Sequence, residues 1–159
     1  MQGDAKVLEY LNEQLTAELT AINQYFLHAK MQEDWGYSKL ASYTRSESID
    51  EMKHAERLTE RILFLSGLPN YQRLSPLNIG TTVPEQFRSD MRIEQEAVAR
   101  LREGAVYMRG VNDITSAALF EEVLADEEHH IDYLETQLDL LETLGEQLYL
   151  AQLVEQPST

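Results

Sequence analysis

Asp50-Glu51-Met52-Lys53-His54 is the stretch that decides the fold, because its pattern Asp-Glu-x-x-His recurs as Asp126-Glu127-Glu128-His129-His130. Glu and His three residues apart lie on one face of a helix and direct a carboxylate and an imidazole to one point. Such a mixed oxygen and nitrogen donor set suits iron, manganese or zinc. A single Glu-x-x-His arises by chance on acidic helices, so it is the repetition that indicates a metal site.

Each copy of the motif has a partner glutamate at the same distance along the chain. The spacing from Glu18 to Glu51 is identical to the spacing from Glu94 to Glu127. The two sets are therefore related by one constant shift in residue number, the shift from position 51 to position 127. We call this shift the repeat offset. The ligands predicted from this repeat are Glu18, Glu51, His54, Glu94, Glu127 and His130.

Composition narrows the class of protein. The chain has 159 residues, 43% of them hydrophobic, which predicts one folded domain over 1–159. It has no cysteine, so disulfides and thiolate metal sites are excluded. A net charge of −15 argues against a nucleic-acid partner. No signal peptide or membrane-spanning run is evident, so we expect a soluble, cytoplasmic protein without a membrane partner.

Apolar residues spaced three and four apart predict four long helices, each with one glutamate in its apolar seam. Asp4 and Ser38 are expected to cap the first two helices, and Thr82 to Glu85 reads as a capping box for the third. The expected helices run from Asp4 to about Asp34, from Ser38 to about Ser66, from Thr82 to about Arg109, from the turn at 110–113 to about Leu144, and over 146–154, before a tail at 155–159.

The connection from Gly67 to Val83 is polar, contains proline and is too long for a tight turn. It predicts an all-α, four-helix bundle over about 4–144, with a long crossover between helices 2 and 3 and a short C-terminal fifth helix. Four glutamates in the core of such a bundle repel one another unless something neutralises them. Two divalent cations offset that charge, and the added imidazoles favour iron or manganese over magnesium or calcium.

Neighbouring residues admit two interpretations each. Asp50 and Asp126 are related by the repeat offset, so each either orients a ligand histidine on the facing helix or is a solvated helix acid. Tyr25 lies two turns beyond Glu18 on the same seam. It is either a core tyrosine bonded to a ligand carboxylate or a redox group. We read the unpaired His28 and His129 as surface residues.

Met52 points about 100° away from the ligand face of its helix. Together with Ile49, and with Phe26 on the first helix, it forms an apolar edge outside the packed core, which indicates a subunit interface. On residue type alone, Met52 supplies contact area in that interface.

The ligand motifs, the crossover, the short last helix and the run Asn12 to Tyr25 resemble bacterioferritin over nearly the whole chain. The resemblance implies a hollow homo-oligomer of twenty-four subunits, built from dimers, that oxidises Fe(II) with O2 or H2O2 and stores ferric mineral. It implies two iron ions per subunit at the six predicted ligands, with Glu51 and Glu127 bridging.

The resemblance also implies a haem b shared by two subunits, with Met52 of each as axial ligand. Two soft, uncharged thioethers favour ferrous haem and a role in passing electrons inward for iron release. The resemblance alone implies a ferredoxin-type electron donor. Some members have an interior iron site beside the position of Asp50, and a histidine of that site stands where this chain has Ser46. This chain departs from their pattern at that position.

Three other functions fit parts of the sequence. A di-metal peroxidase or catalase that stores nothing would share the ligands and remain a dimer or hexamer. A plain helical bundle with acidic surface decoration would bind no metal tightly. A DNA-protecting mini-ferritin is disfavoured, because there is no basic tail and the ligands come from one bundle.

Overall fold

The computed structural model describes residues 1–155, and its helices confirm the predicted architecture. Helix bounds are α1 Ala5–Asp34, α2 Ser38–Phe64, α3 Val83–Gly110, α4 Ile114–Leu144 and α5 Glu146–Ala151. No strand occurs among the described residues. The predicted tail lies outside them, apart from Glu155.

Two of the predicted helix caps are present. The Asp4 carboxylate accepts hydrogen bonds from the backbone N–H groups of Lys6 and Val7, at 2.9 and 3.1 Å. The Thr82 hydroxyl accepts from the N–H of Glu85 at 3.3 Å. The Glu85 side chain bonds to Thr81 instead of closing the box on Thr82.

The predicted cap at Ser38 is wrong, because Tyr37 occupies the cap position and its side chain makes no capping bond. An N–H in the first turn of α2, that of Lys39, instead donates to the carbonyl of Leu153 at 3.0 Å. The chain that follows α5 therefore supplies the missing acceptor. Leu153 lies in a turn and not in a helix, because α5 ends at Ala151 and not at the predicted position 154.

Hydrogen bonds between helices establish their directions. Gln14, early in α1, pairs with Arg100, late in α3, whereas Gln32, late in α1, pairs with Gln86, early in α3. The same reversed order holds between α2 and α4. With short turns joining α1 to α2 and α3 to α4, helices α2 and α3 run parallel, which requires a crossover as long as the bundle.

The crossover, residues 65–82, is held along α1 by its main chain. Four α1 side chains, which we call the acceptor row, take hydrogen bonds from its successive backbone amides at 2.8 to 3.0 Å. The pairs are Asn12 with Asn70, Thr20 with Ser75, Gln24 with Asn78, and His28 with Gly80. The surface prediction for His28 is therefore wrong: the crossover covers it completely. His129 is exposed, as expected.

Two apolar clusters fill the two ends of the bundle and leave its middle to polar residues. The cluster at the α1 N-terminal end includes Leu11, Leu58, Met108 and Phe120. The opposite cluster includes Leu40, Phe87, Leu134 and Tyr149. Helix α5 closes this second end, with Tyr149 fully buried and edge-on to Phe87 at 6.1 Å between ring centroids. Both clusters shield the central polar layer from water along the bundle axis.

Candidate metal centre

The six predicted ligands occupy the central layer between the two apolar clusters. Each of the four long helices contributes one glutamate, and α2 and α4 each add a histidine one turn later. None of the six is more than 5% exposed. Four carboxylates from distant parts of the chain therefore face one another inside the bundle.

Their potential donor atoms form two groups. Glu18, Glu51, His54 and Glu127 make up the first group. Glu94 and His130 join the same Glu127 in the second. Within each group, one donor atom of every residue lies within 4.8 Å of the others. Glu127 is thus the residue that the two groups share.

Several of these buried donor atoms lack hydrogen-bond partners within residues 1–155. They are Oε2 of Glu18, Oε2 of Glu94, both carboxylate oxygens of Glu127, and Nδ1 of His54. A buried polar atom without a partner costs about 1–3 kcal/mol, and more if it is charged. The unpartnered atoms form a mixed oxygen and nitrogen set of the kind that transition metals bind, so the residues fit a pair of such ions.

Neighbouring carboxylates surround both histidines. His54 places Nδ1 3.1 Å from Glu127 Oε1, and its other nitrogen, Nε2, 2.8 Å from Asp126 Oδ2. The contact with Asp126 has the geometry expected of a residue that orients a ligand histidine. On the opposite side, His130 Nδ1 lies 3.1 Å from Glu94 Oε1.

Asp50, the repeat counterpart of Asp126, has a different environment. It is exposed, and its carboxylate lies 4.0 Å from Lys53 Nζ on the same helix. The nearby Ser46 hydroxyl donates to the carbonyl of Tyr43 at 2.6 Å. Nothing in this arrangement holds the facing histidine, so the two repeats differ outside their shared ligand set.

Tyr25 is completely buried, and its hydroxyl donates to Oε1 of Glu94. The sequence interpretation of a core tyrosine bonded to a ligand carboxylate matches this contact. Burial, followed by repulsion from Glu94, raises the pKa of the Tyr25 hydroxyl well above its usual value. The hydroxyl therefore stays protonated and acts as a donor.

A surface cleft of about 380 Å³ opens on the α2–α4 side of the centre. It is lined by Glu47, Asp50, Glu51, Lys53, His54, Arg57, Asp126, His129 and His130. Three of these lining residues are predicted ligands, so the cleft joins the centre to the surface.

Comparisons with known proteins agree with this geometry. Residues 8–144 match the family model described as the ferritin-like domain. A bacterioferritin of Streptomyces coelicolor is 66% identical over 156 residues, which cover 98% of this chain and 93% of that protein. Bacterioferritin BfrA of Mycobacterium tuberculosis is 61% identical over the whole of both chains. The chain belongs to the bacterioferritin family. A solved structure of the M. tuberculosis bacterioferritin BfrA has a TM-score of 0.97, with 100% of both chains covered.

Membership of the bacterioferritin family supports iron storage, and the buried carboxylate–histidine cluster is compatible with a di-iron site. Among residues 1–155, no helix is both long enough and apolar enough to cross a membrane.

Two glutamates of the centre, Glu51 and Glu94, have raised pKa values. Burial raises the pKa of Glu51 well above its usual value, and repulsion from Glu18 and Glu127 adds to the shift. Burial, with repulsion from Glu127, raises the pKa of Glu94 to about 8. Both carboxyls therefore take up a proton at a higher pH than an exposed glutamate does.

The pKa values of His54 and His130 are raised, which favours the charged form of each imidazole. Burial alone would lower the pKa of His54, but the neighbouring carboxylates of Glu127 and Glu18 raise it to about 11. For His130, burial again acts downward, and Glu94 raises the pKa to about 9. Both imidazoles must lose a proton to bind a metal ion, so metal and protons compete for this centre.

One acidic neighbour of the ligands was not predicted. Glu47 places Oε2 3.4 Å from His130 Nδ1, and burial raises the pKa of the Glu47 carboxyl. It shares a helix face with Glu51 and His54 at a spacing of four and three, which is the signal that could reveal it. Its counterpart at the repeat offset is Val123, so a search for repeated residues passes over it.

Proposed function

We propose that this chain is a ferroxidase that oxidises Fe(II) at paired iron positions inside each bundle and stores ferric mineral in a hollow shell of twenty-four copies. One observation carries the proposal: the two ligand groups share Glu127 and contain buried donor atoms that make no hydrogen bond. Bacterioferritin membership supports the storage role.

Fe(II) is the substrate in this proposal. Four ionised glutamates offset the four positive charges of two Fe(II) ions, and two neutral imidazoles complete the donor set. Glu127, and in the resemblance also Glu51, would keep the two ions close together. Each Fe(II) gives up one electron, and O2 takes both electrons with two protons to form H2O2. H2O2 as oxidant would take the same two electrons and two protons to form water.

The test is the rate at which ferric absorbance appears after Fe(II) is added in air. Loss of one ligand removes several kcal/mol of stabilisation, and a rate changes tenfold for every ~1.4 kcal/mol. We therefore expect Glu18→Ala and His130→Ala to oxidise Fe(II) about 100-fold more slowly than the unmodified protein. Glu56→Ala, an exposed position on α2, is the control and should match it. Equal rates in all four proteins would overturn the proposal.

Haem b is the second cofactor in the proposal, held between two copies by Met52 of each. Met52 is 54% exposed on α2, and the apolar side chains of Ile49 on the same helix and Phe26 on α1 are exposed too. An exposed thioether supplies the soft ligand that ferrous haem prefers. When bound, the haem would carry electrons from a ferredoxin-type donor towards stored ferric iron.

The substitution Met52→Leu should abolish the Soret band of the purified protein and leave its particle size unchanged, because leucine keeps the apolar contact without the sulfur. Absorption spectra combined with size-exclusion chromatography measure both properties. Met31→Leu is the matched control, since the Met31 sulfur contacts Gln86 within the bundle. A Soret band that survives in Met52→Leu would assign the axial ligand to another residue.

A further inference from the structure

We propose that Gln14, oriented by Arg100, positions the Glu18 carboxylate and thereby sets how tightly the first ligand group binds its metal ion. The proposal rests on the two-ion function proposed above. It assigns to Gln14 a task that none of the six ligands performs, since Gln14 itself touches no ion.

The contacts run from the surface inward. Gln14 lies one turn before Glu18 on α1 and is only 1% exposed. Its Nε2 donates to Oε1 of Glu18 at 2.9 Å. Its Oε1 accepts from the guanidinium of Arg100, on α3, at 3.2 Å. Because a guanidinium only donates, Arg100 fixes which end of the amide faces it, and the NH2 group must face Glu18.

This contact divides the two oxygens of Glu18 between two tasks. Oε1 accepts from Gln14 and also lies 3.6 Å from His54 Nδ1, whereas Oε2 is buried without a hydrogen-bond partner. The carboxylate therefore cannot rotate freely, and one defined oxygen is left for an ion. An amide is suited to this position, because it stabilises a carboxylate without adding a positive charge that would repel the metal.

Glu94 shows the same division through a different donor. Tyr25 donates to its Oε1, and its Oε2 is also buried without a partner. The repeat does not explain this similarity, because the counterpart of Gln14 at the repeat offset is Asp90. Two unrelated α1 side chains thus hold one oxygen of each glutamate, which indicates that a fixed carboxylate is useful in both groups.

The experiment is a Co(II) titration of the metal-stripped oligomer, followed by visible absorption. Gln14→Leu keeps the size of the side chain and removes the donor. We expect it to weaken one of two Co(II) binding steps by about 10–100-fold, the usual effect of losing a residue that orients a ligand, and to leave the other step unchanged. Tyr25→Phe should weaken the other step instead.

Arg100 variants test the same contact without altering the buried core. Arg100→Met should weaken the Co(II) binding step that Gln14→Leu weakens. Arg100→Lys keeps a donor, so this step should stay as strong as in the unmodified protein. Should Gln14→Leu fail to fold, this pair decides the question. Two full-strength Co(II) steps in Gln14→Leu, or in Arg100→Met, would overturn the inference. Equal weakening of both steps, with a lower melting temperature, would assign Gln14 a merely structural role and also overturn it.

Failure of the proposed function gives a different result. In that case the unmodified protein would bind Co(II) no better than Glu18→Ala. The positioning inference fails alone when the unmodified protein binds two Co(II) ions, Glu18→Ala loses one, and Gln14→Leu behaves as the unmodified protein.

Discussion

Glu127→Gln is expected to slow Fe(II) oxidation by about 1000-fold or more, a larger loss than for any other single ligand. Glu127 belongs to both ligand groups, and neither of its oxygens accepts a hydrogen bond, although Oε1 lies 3.1 Å from His54 Nδ1. An amide of the same volume cannot neutralise two cations. The initial rate of ferric absorbance in air measures the effect, and Co(II) titration should show weakening of both binding steps.

The adjacent residue supplies the control. Glu128 is exposed and pairs with Arg102 at 3.0 Å, so Glu128→Gln removes the same charge one position further along α4. That variant should oxidise Fe(II) at the rate of the unmodified protein. The bridging role of Glu127 is wrong if Glu127→Gln is no slower than Glu18→Ala or His130→Ala.

Co(II) at 100 times its dissociation constant is expected to raise the melting temperature of the metal-stripped protein by about 10–20 °C at pH 8. Each site filled to this extent stabilises the fold by about 2.7 kcal/mol. A chain of this length gains about 2–4 °C per kcal/mol. Differential scanning calorimetry with and without chelator measures the shift. Glu127→Gln should lose most of it, and Mg2+, which prefers oxygen ligands alone, should produce little.

The same stabilisation should weaken as the pH falls from 8 to 6. The pKa values of Glu94, His130 and His54 are raised to about 8, 9 and 11, and that of Glu51 is raised well above its usual value. At lower pH each group holds its proton more firmly against the metal. With up to four protons displaced, the product of the two binding constants should fall by up to about 10,000-fold per pH unit. Proton release on Co(II) binding, followed by pH-stat, should accompany it; pH-independent binding would contradict this account.

The buried carboxylate–histidine cluster was predictable because its residues repeat. A Glu-x-x-His pair is weak evidence alone, but Glu51 and His54 return as Glu127 and His130 at a constant offset, and a bundle core is where four such faces meet. Residues that support only one half of the centre give no such signal. Gln14 serves Glu18 alone, and its counterpart at the repeat offset has other partners.

The errors have a common physical origin in contacts between distant parts of the chain. His28 accepts a hydrogen bond from the amide of Gly80, which lies near the end of the crossover. The burial of His28 therefore depends on the path of that segment. The first turn of α2 finds its acceptor at Leu153, near the opposite end of the chain. Helical periodicity describes faces within one helix and carries no information about either contact.

The acceptor row binds the crossover only through main-chain amides. The path of the crossover therefore depends little on which side chains it carries. Residues 70–78 are exposed, so most of their side chains contribute little to the route that the chain follows. Tyr71 within this range and Gly80 just beyond it do constrain the sequence. The Tyr71 hydroxyl bonds to Thr59, and a Cβ added at Gly80 would come within 2.4 Å of the Gln86 nitrogen. Between them, the outer face of the protein can accept new sequence, such as a peptide tag or a recognition loop, while the four helices keep their order.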